Sequence, residues 1–264
     1  MLIIENTLFK RKAVFYSSKM VEPIRIQFVK FLIDINEKLF FERRLRKFYK
    51  QKFKGSLGLI LDVGSNNGQT IDFFLRLEPA CKIFGFEPNL SLYHHLQSKY
   101  KKRPNVKVFN LGISNNQGSK VFYENLLNYT STFEELNLES DYLKTKAKIL
   151  GVTPKGLIKK TYHSQVTTLA DFLSVEVTQM VDLLKIDVEG HEYACLLGLF
   201  QSNPNPKIRY IQLEFHHQDM YKHKITYNET IDLLRSNNFE LDAVIKHGFG
   251  NFEELIFRNR TYIL

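Results

Sequence analysis

The chain has 264 residues, of which 44% are hydrophobic and 25% are charged. Because both fractions are near globular averages, the chain can bury a core and does not have the composition of a disordered protein. Cys81 and Cys195 are the only cysteines, and their apolar surroundings exclude a disulfide framework or a cysteine-rich zinc site. The sequence has no uncharged apolar stretch of about 18 residues and no signal-peptide pattern, which predicts a soluble, cytoplasmic protein.

The net charge of +9 is concentrated at the start of the chain. Residues 1–54 hold 14 Lys and Arg against five Asp and Glu, whereas residues 55–264 hold 23 of each kind. This predicts a basic helical extension over 1–54 and one main domain over 55–264. The charge of the extension is compatible with three roles: binding an anionic partner, binding a membrane surface, or forming a solvated basic face without a partner.

An amphipathic helix is predicted over 24–48, because apolar residues recur there at spacings of three and four with basic residues between them. Its apolar stripe is expected to pack on the main domain or on a second subunit of a homo-oligomer.

After residue 58, strand-like and helix-like stretches alternate, which predicts a doubly wound α/β fold with a mostly parallel sheet. The pattern breaks over 117–168, where only 120–124 looks like a strand. We expect this insertion to form a lid or an acceptor-binding cap, since it is too long for a connector. The predicted strands are 59–63, 82–86, 106–111, 181–187, 210–215, 240–245 and 254–257, and the predicted helices are 70–77, 90–100, one containing 169–173, and 231–237.

A glycine-rich turn follows the first of these strands. The strand contains Asp62, and the turn runs from Gly64 to Gly68 without the spacing of a dinucleotide fingerprint or the lysine of a phosphate loop. Glu87 lies 23 residues after Gly64 at the end of the next strand, where a carboxylate can accept hydrogen bonds from both ribose hydroxyls. The pair predicts an adenosine-containing ligand that lacks phosphate.

Several motifs follow one another over roughly residues 59–217: DVGSNNG (62–68), FEP (86–88), LGIS (111–114), LKIDVEGHE (184–192) and EFHH (214–217). Taken in this order, they resemble the FkbM family of methyltransferases. The resemblance implies a class I, Rossmann-like methyltransferase fold with a seven-stranded sheet and S-adenosylmethionine as the cofactor. It implies that the methionine and ribose of the cofactor are surrounded by Asp62, Gly64, Asn66 and Gly68. Glu87 would bind the ribose, and Ile113 and Ser114 would lie at the adenine. Asp187 would contact the cofactor and also take part in catalysis.

Members of that family usually methylate a hydroxyl oxygen, and a hydroxyl needs a general base within hydrogen-bond reach. Candidates cluster after the fourth and fifth strands, and His191 is the first choice because the ordinary pKa of histidine, about 6.5, suits proton uptake near neutrality. The alternative for His191 is a structural role at the start of a helix. Asp187 and Glu214 are predicted to orient the base, bind acceptor hydroxyls or act as base themselves. A metal held by Asp187, Glu214 and His216 is conceivable, but no metal is part of the predicted site.

The predicted function is therefore transfer of a methyl group to a hydroxyl of a sugar, glycan or sugar-bearing metabolite. One alternative is methylation of nucleic acid, to which the basic extension could bind through phosphates. The other is a non-catalytic scaffold that keeps only the cofactor site.

Overall fold

The computed structural model describes residues 42–54, 57–127, 130–201, 203, 205–216, 219–223, 225–247 and 252–262, without the side chain of His216. Most of the helix predicted over 24–48 lies outside the described residues. The described helices are α1 (Glu42–Phe53), α2 (Gln69–Leu77), α3 (Leu90–Lys99), α4 (Asp141–Leu150), α5 (Leu169–Glu176), α6 (Glu192–Phe200) and α7 (Tyr227–Ser236). The strands are β1 (Leu59–Val63), β2 (Lys82–Phe86), β3 (Val106–Phe109), β4 (Gly112–Ile113), β5 (Gly118–Asn125), β6 (Ile158–Thr167), β7 (Val181–Ile186), β8 (Ile208–His216), β9 (Phe239–Lys246) and β10 (Phe252–Asn259).

Seven of these strands form one sheet in the order β3-β2-β1-β7-β8-β10-β9. The first five are parallel, and β10 runs antiparallel to both of its neighbours. Every residue of β1 and β7 is buried, as expected for central strands covered by helices on both faces. The prediction of a doubly wound, mostly parallel, seven-stranded α/β fold is confirmed.

Two hydrophobic clusters hold the helices to the sheet. One cluster joins α5, α6 and α7 to one face, and the other joins α1, α2 and α3 to the opposite face. Within the second cluster, α1 buries Leu45, Tyr49 and Phe53 against residues of the sheet. The described end of the basic extension is therefore packed into the core of the main domain. The predicted boundary at residue 55 itself stays a prediction.

The stretch that was predicted as an insertion folds as a small sheet and a helix. β6 pairs with both β4 and β5, and α4 buries Leu143, Ala147 and Leu150 in a third hydrophobic cluster. The strand predicted over 120–124 is confirmed within β5, but β6 and α4 were not predicted. β6 reads IKKTYHSQVT and is mostly solvent-facing, so it has no clean apolar alternation to identify it.

Among the described residues, no helix combines the length and the apolarity needed to cross a membrane.

Candidate active site

A cleft of about 300 Å³ opens at the carboxyl ends of β1, β2, β7 and β8. This is the edge of an open parallel sheet at which ligands bind. The start of α1 and the insertion complete its walls. We distinguish two ends of the cleft. The glycine-turn end is lined by Gly64, Asn66, Glu87 and Ile113, and the acidic end by Lys185, Asp187, Glu189, Glu214, His247 and Glu254.

The glycines of the turn are required by packing within the protein. Gly64 has a φ of +90°, and a Cβ placed on it would lie 1.9 Å from the carbonyl oxygen of Asp187. Gly68 has a φ of +79°, and a Cβ there would lie 2.3 Å from the hydroxyl of Tyr100. Gly64 lines the cleft, whereas Gly68, predicted at the cofactor, lies behind the turn at the start of α2. The close contact of Gly64 brings the end of β1 and the end of β7 together.

Asn66 and Glu87 meet at the glycine-turn end. The two carboxylate oxygens of Glu87 accept hydrogen bonds from the backbone N–H groups of Asn66, at 2.7 Å, and of Asn89, at 2.8 Å. Burial raises the pKa of Glu87 to about 7, although both hydrogen bonds oppose the shift. Asn66 has a left-handed backbone with a φ of +45°, and its Oδ1 is buried with no hydrogen-bond partner among the described residues. Both predicted residues therefore face the cleft.

Two other residues predicted at the cofactor do not line the cleft, whereas Ile113 does. Ser114 is fully buried, and its Oγ contacts the side chains of Asn115, Lys120 and His191. Asp62 is also fully buried. Burial raises the pKa of Asp62 to about 6, although the nearby Lys185 ammonium opposes the shift. For both residues the geometry favours a role behind the site.

Lys185 and Asp187 form the floor of the acidic end. The ammonium of Lys185, of which only 5% is exposed, donates to Oδ2 of Asp187 at 2.6 Å. Burial lowers the pKa of Lys185, but the carboxylates of Asp187, Glu254 and Asp62 outweigh it and hold the pKa above its usual range. Lys185 lies within the motif LKIDVEGHE, but the sequence predicted no role for it. A lysine inside a mostly apolar strand was the available signal.

The turn after β7 places Glu189 at the cleft. Glu189 has a φ of +55°, a left-handed conformation that non-glycine residues adopt rarely and mainly at functional positions. The carboxylate of Glu192 fixes this turn by accepting the backbone N–H groups of Val188 and Gly190 at 3.0 and 3.1 Å. Of the motif that contains this turn, Asp187 and Glu189 therefore reach the cleft while Glu192 orders the backbone.

Glu214, His247 and Glu254 come together from three strands. Nε2 of His247 lies 3.8 Å from Oε1 of Glu214 and 3.5 Å from Oε1 of Glu254. At most a tenth of each of these side chains is exposed. Glu214 was predicted in the site, but His247 and Glu254 were not. Glu254 could have been found as a charged residue at a buried strand position, whereas nothing in the sequence near His247 marks it.

The structure does not bring His191 into the cleft. His191 is buried at the start of α6, where Nδ1 contacts Oε1 of Glu134 at 2.5 Å and Nε2 contacts Oγ of Ser114 at 3.0 Å. Burial lowers the pKa of His191 below its ordinary value, although Glu134 opposes the shift. Since both ring nitrogens are engaged by the protein, the geometry favours the alternative structural role. His191 then ties the turn after β7 to the insertion.

The insertion forms the wall opposite the sheet edge. Phe133, Tyr142 and Lys146 line the cleft from it, the latter two on α4. Burial lowers the pKa of Lys146, although Glu189 and Glu214 oppose the shift. These residues were not singled out in the sequence because the insertion carries no recognisable motif.

Two sets of side chains at the acidic end have ligand atoms close enough to hold a metal ion: Asp187, Glu189 and Glu214, and Glu214, His247 and Glu254. The metal alternative with His216 stays a prediction, because the side chain of His216 lies outside the described residues.

Comparisons with known proteins show which proteins the chain is similar to. The chain is 26% identical over 204 residues to the 2-O-methyltransferase NoeI of Sinorhizobium fredii, covering 76% of this chain and 79% of NoeI. It is 24% identical over 202 residues to the AMB antimetabolite synthetase AmbE of Pseudomonas aeruginosa, covering 69% of this chain but only 10% of that protein.

Among solved structures, the fibrillarin of Aeropyrum pernix, in complex with S-adenosyl-L-methionine, shows 13% identity and a TM-score of 0.43. That match covers 76% of this chain and 66% of the fibrillarin chain. TrmK of M. capricolum, in complex with S-adenosyl-homocysteine, shows 10% identity and a TM-score of 0.42, over 89% of this chain and 70% of TrmK.

The model of the FkbM methyltransferase domain matches residues 62–241, which include the glycine turn, Glu87 and four of the six residues of the acidic end. The chain therefore belongs to the FkbM methyltransferase family and is an enzyme that uses S-adenosylmethionine as its methyl donor.

Proposed function

We propose that the enzyme methylates a hydroxyl oxygen of a sugar, a glycan or a sugar-bearing metabolite. The observation that carries the proposal is the acidic end, where four carboxylates and one imidazole line a single cleft together with Lys185. Carboxylates accept hydrogen bonds from hydroxyl groups, and several converging acceptors suit a polyhydroxylated ligand. The likeness to a 2-O-methyltransferase supports an oxygen acceptor.

The glycine-turn end fits an adenosine-containing cofactor. Each carboxylate oxygen of Glu87 uses one backbone N–H and can still accept a further hydrogen bond from a ribose hydroxyl. The buried Oδ1 of Asn66, for which the described residues supply no hydrogen-bond partner, can accept another. We assign Gly64, Asn66, Glu87 and Ile113 to holding the cofactor. When bound, S-adenosylmethionine supplies an electrophilic methyl group on a positively charged sulfur.

The acidic end aligns the acceptor. Methyl transfer is an in-line displacement, so the main task of the protein is to hold the acceptor oxygen in position and to exclude water. We assign Asp187 and Glu214 to accepting hydrogen bonds from acceptor hydroxyls, and Lys185 to orienting the Asp187 carboxylate through its hydrogen bond. Phe133 and Tyr142 cover the opposite side, where aromatic rings can pack on the apolar face of a sugar.

Nucleic acid is the weaker alternative, because Asp187, Glu189, Glu214 and Glu254 would repel the phosphodiester backbone at the point where the nucleophile must enter. The non-catalytic scaffold is also disfavoured, since a chain that only binds cofactor has no need for a second, charged end of the cleft.

The test is transfer of tritiated methyl from S-adenosylmethionine by the full chain. The acceptors are a panel of methyl glycosides of neutral sugars and, in parallel, bulk transfer RNA and ribosomal RNA. We expect label in at least one glycoside and none in RNA, and Glu214→Gln should lower the labelling of the glycoside at least tenfold. Label in RNA alone would establish the alternative, and label in neither, with intact cofactor binding, would favour the scaffold.

A further inference from the structure

The general base for hydroxyl methylation has to lie in the cleft, and His191 and His247 differ in this respect. His191 is enclosed by Glu134 and Ser114, whereas His247, at the end of β9, lines the acidic end. It is the one histidine that does so in the part of the chain that the structure describes. We propose that His247 is the general base of the methyl transfer. This inference rests on the proposed O-methylation.

The surroundings of His247 suit a group that takes up a proton. Its Nε2 lies between the carboxylates of Glu214 on β8 and Glu254 on β10, at 3.8 and 3.5 Å. A carboxylate next to an imidazole stabilises the imidazolium that forms when the ring is protonated. The ring of Phe252 lies 4.5 Å from the imidazole, between centroids, and covers one side of it.

Glu254 is itself held in place by a buried chain of hydrogen bonds. Oε2 of Glu254 accepts from Nε2 of Gln212 at 2.8 Å, and Oε1 of Gln212 accepts from the hydroxyl of Tyr49. Gln212 is fully buried, and at most 2% of Tyr49 and of Glu254 is exposed. Because the tyrosine hydroxyl donates to the amide oxygen, the amide nitrogen must face Glu254. Tyr49, on α1, is therefore a positioning residue for the base.

In the reaction, the acceptor oxygen forms its bond to the methyl carbon while the carbon–sulfur bond breaks and its electron pair stays on sulfur. The hydroxyl proton passes to the imidazole of His247. S-adenosylhomocysteine leaves, and the imidazolium returns the proton to water. Atoms and charge balance without an oxidant, a reductant or a metal ion.

The first test does not require an acceptor. In the full chain with ¹⁵N-labelled histidine, the ring signals of His247, assigned with His247→Gln, should shift on titration with S-adenosylhomocysteine. The exposed His163 on β6 is the internal control and should not shift. A His247 signal that does not respond while the cofactor product binds would place the imidazole outside the reaction centre and overturn the inference.

The second test measures kcat/KM for a glycoside that the wild-type chain methylates. His247→Ala should lower kcat/KM about 10²- to 10⁴-fold and leave the affinity for S-adenosylhomocysteine within twofold. Added imidazole should restore at least tenfold of the loss, and His163→Ala should behave as wild type. Tyr49→Phe should lower kcat several-fold without rescue by imidazole, as expected for a residue that acts through Glu254.

The acid limb of the pH profile gives a further readout. The wild type should lose kcat/KM as the base is protonated, and His247→Ala should lack that limb. Among the residues that the structure describes, Glu214 and Glu254 face the ring, and Lys185 and Asp187 form the floor beside it. Glu254→Gln should move the limb to lower pH, because it removes a carboxylate that favours the imidazolium.

Three further results would overturn the inference: normal turnover of His247→Ala, no rescue by imidazole, or inactivation by EDTA that Mn²⁺ reverses. The last result would make the imidazole a metal ligand. Absence of transfer to every glycoside, with the NMR shift of His247 present, would count against the proposed sugar acceptor instead.

Discussion

The two ends of the cleft are built in different ways. The glycine-turn end comes from two consecutive strand-to-helix turns, and the closest interactions there involve backbone: the hydrogen bonds of Glu87 and the contact of Gly64 with the Asp187 carbonyl. The acidic end is assembled from side chains of β7, β8, β9 and β10 that lie far apart in the sequence. The cofactor is therefore held by a locally encoded element, whereas the acceptor chemistry depends on the tertiary fold.

The largest expected effect is on the contact that joins the two ends. Gly64→Ala should lower the free energy of unfolding by about 3 kcal/mol or more, since the new Cβ meets the backbone carbonyl of Asp187. Gly118 is the matched control, because it also has a positive φ but a Cβ there meets nothing within 4 Å. Gly118→Ala should cost about 1 kcal/mol. Urea denaturation of both variants measures the difference, and equal losses would mean that the contact carries no energy.

A smaller effect is expected behind the acidic end, at His191. His191→Ala should lower the free energy of unfolding by about 2 to 4 kcal/mol, because it leaves Glu134 and Ser114 without their buried partner. Imidazole should not restore the turnover of this variant, in contrast to His247→Ala. Thermal denaturation and the rescue assay separate the two histidines. Rescue of His191→Ala by imidazole would return the catalytic role to His191.

At the glycine-turn end, Glu87→Ala should weaken binding of S-adenosylhomocysteine by roughly 1 to 3 kcal/mol through lost charge-assisted hydrogen bonds. Because the pKa of Glu87 is raised to about 7, the wild-type affinity should increase as the pH rises from 6 to 8, as the carboxylate forms. Glu87→Gln should lack this pH dependence. Isothermal titration calorimetry at several pH values measures both effects, and unchanged affinity would place the ribose elsewhere.

The smallest effect concerns Asp62, which lies between the two ends but outside the cleft. Its pKa is raised to about 6 in the folded chain, so the stability that the protonated carboxyl contributes is lost as the pH rises through 6. Asp62→Asn should therefore leave the stability near wild type at pH 4 and increase it at pH 8 by on the order of 1 to 2 kcal/mol. Denaturation curves at both pH values provide the measurement. A variant that is less stable at pH 8 would show that the electrostatic attraction between the Asp62 carboxylate and the nearby Lys185 ammonium outweighs the cost of burying the charge.

The difference between the glycine-turn end and the acidic end also explains which parts of the molecule the sequence could predict. β1, β2 and the turns after them follow from apolar runs that end at glycine or proline, and the seven-stranded fold follows from the alternation of strands and helices. The acidic end was predicted in part, because Asp187 and Glu214 directly follow or end parallel strands. His247 could not be predicted, and Glu254 could be found only as a charged residue within a predicted strand. Both reach the cleft through the antiparallel pairing of β10 with β8 and β9, which the sequence pattern does not specify.

His191, in contrast, was predicted in the site but does not line the cleft. A motif placed it next to Asp187 in sequence, but a residue after a strand end can point into the cleft or into the core, and the choice depends on Glu134 of the insertion. No local pattern marked that partner. Likewise, Lys146 and Tyr142 reach the cleft on a helix that ends at Leu150, well before the motif that begins at Leu184.

The most direct measurement is a crystal structure of the full chain with S-adenosylhomocysteine. We predict that the ribose hydroxyls bind the carboxylate of Glu87 and that the sulfur points toward the acidic end. An acceptor oxygen placed next to His247 and Asp187 should then be within reach of the methyl group. A ligand whose sulfur points away from His247, Glu214 and Asp187, or which binds outside this cleft, would contradict the division of the site into a glycine-turn end and an acidic end.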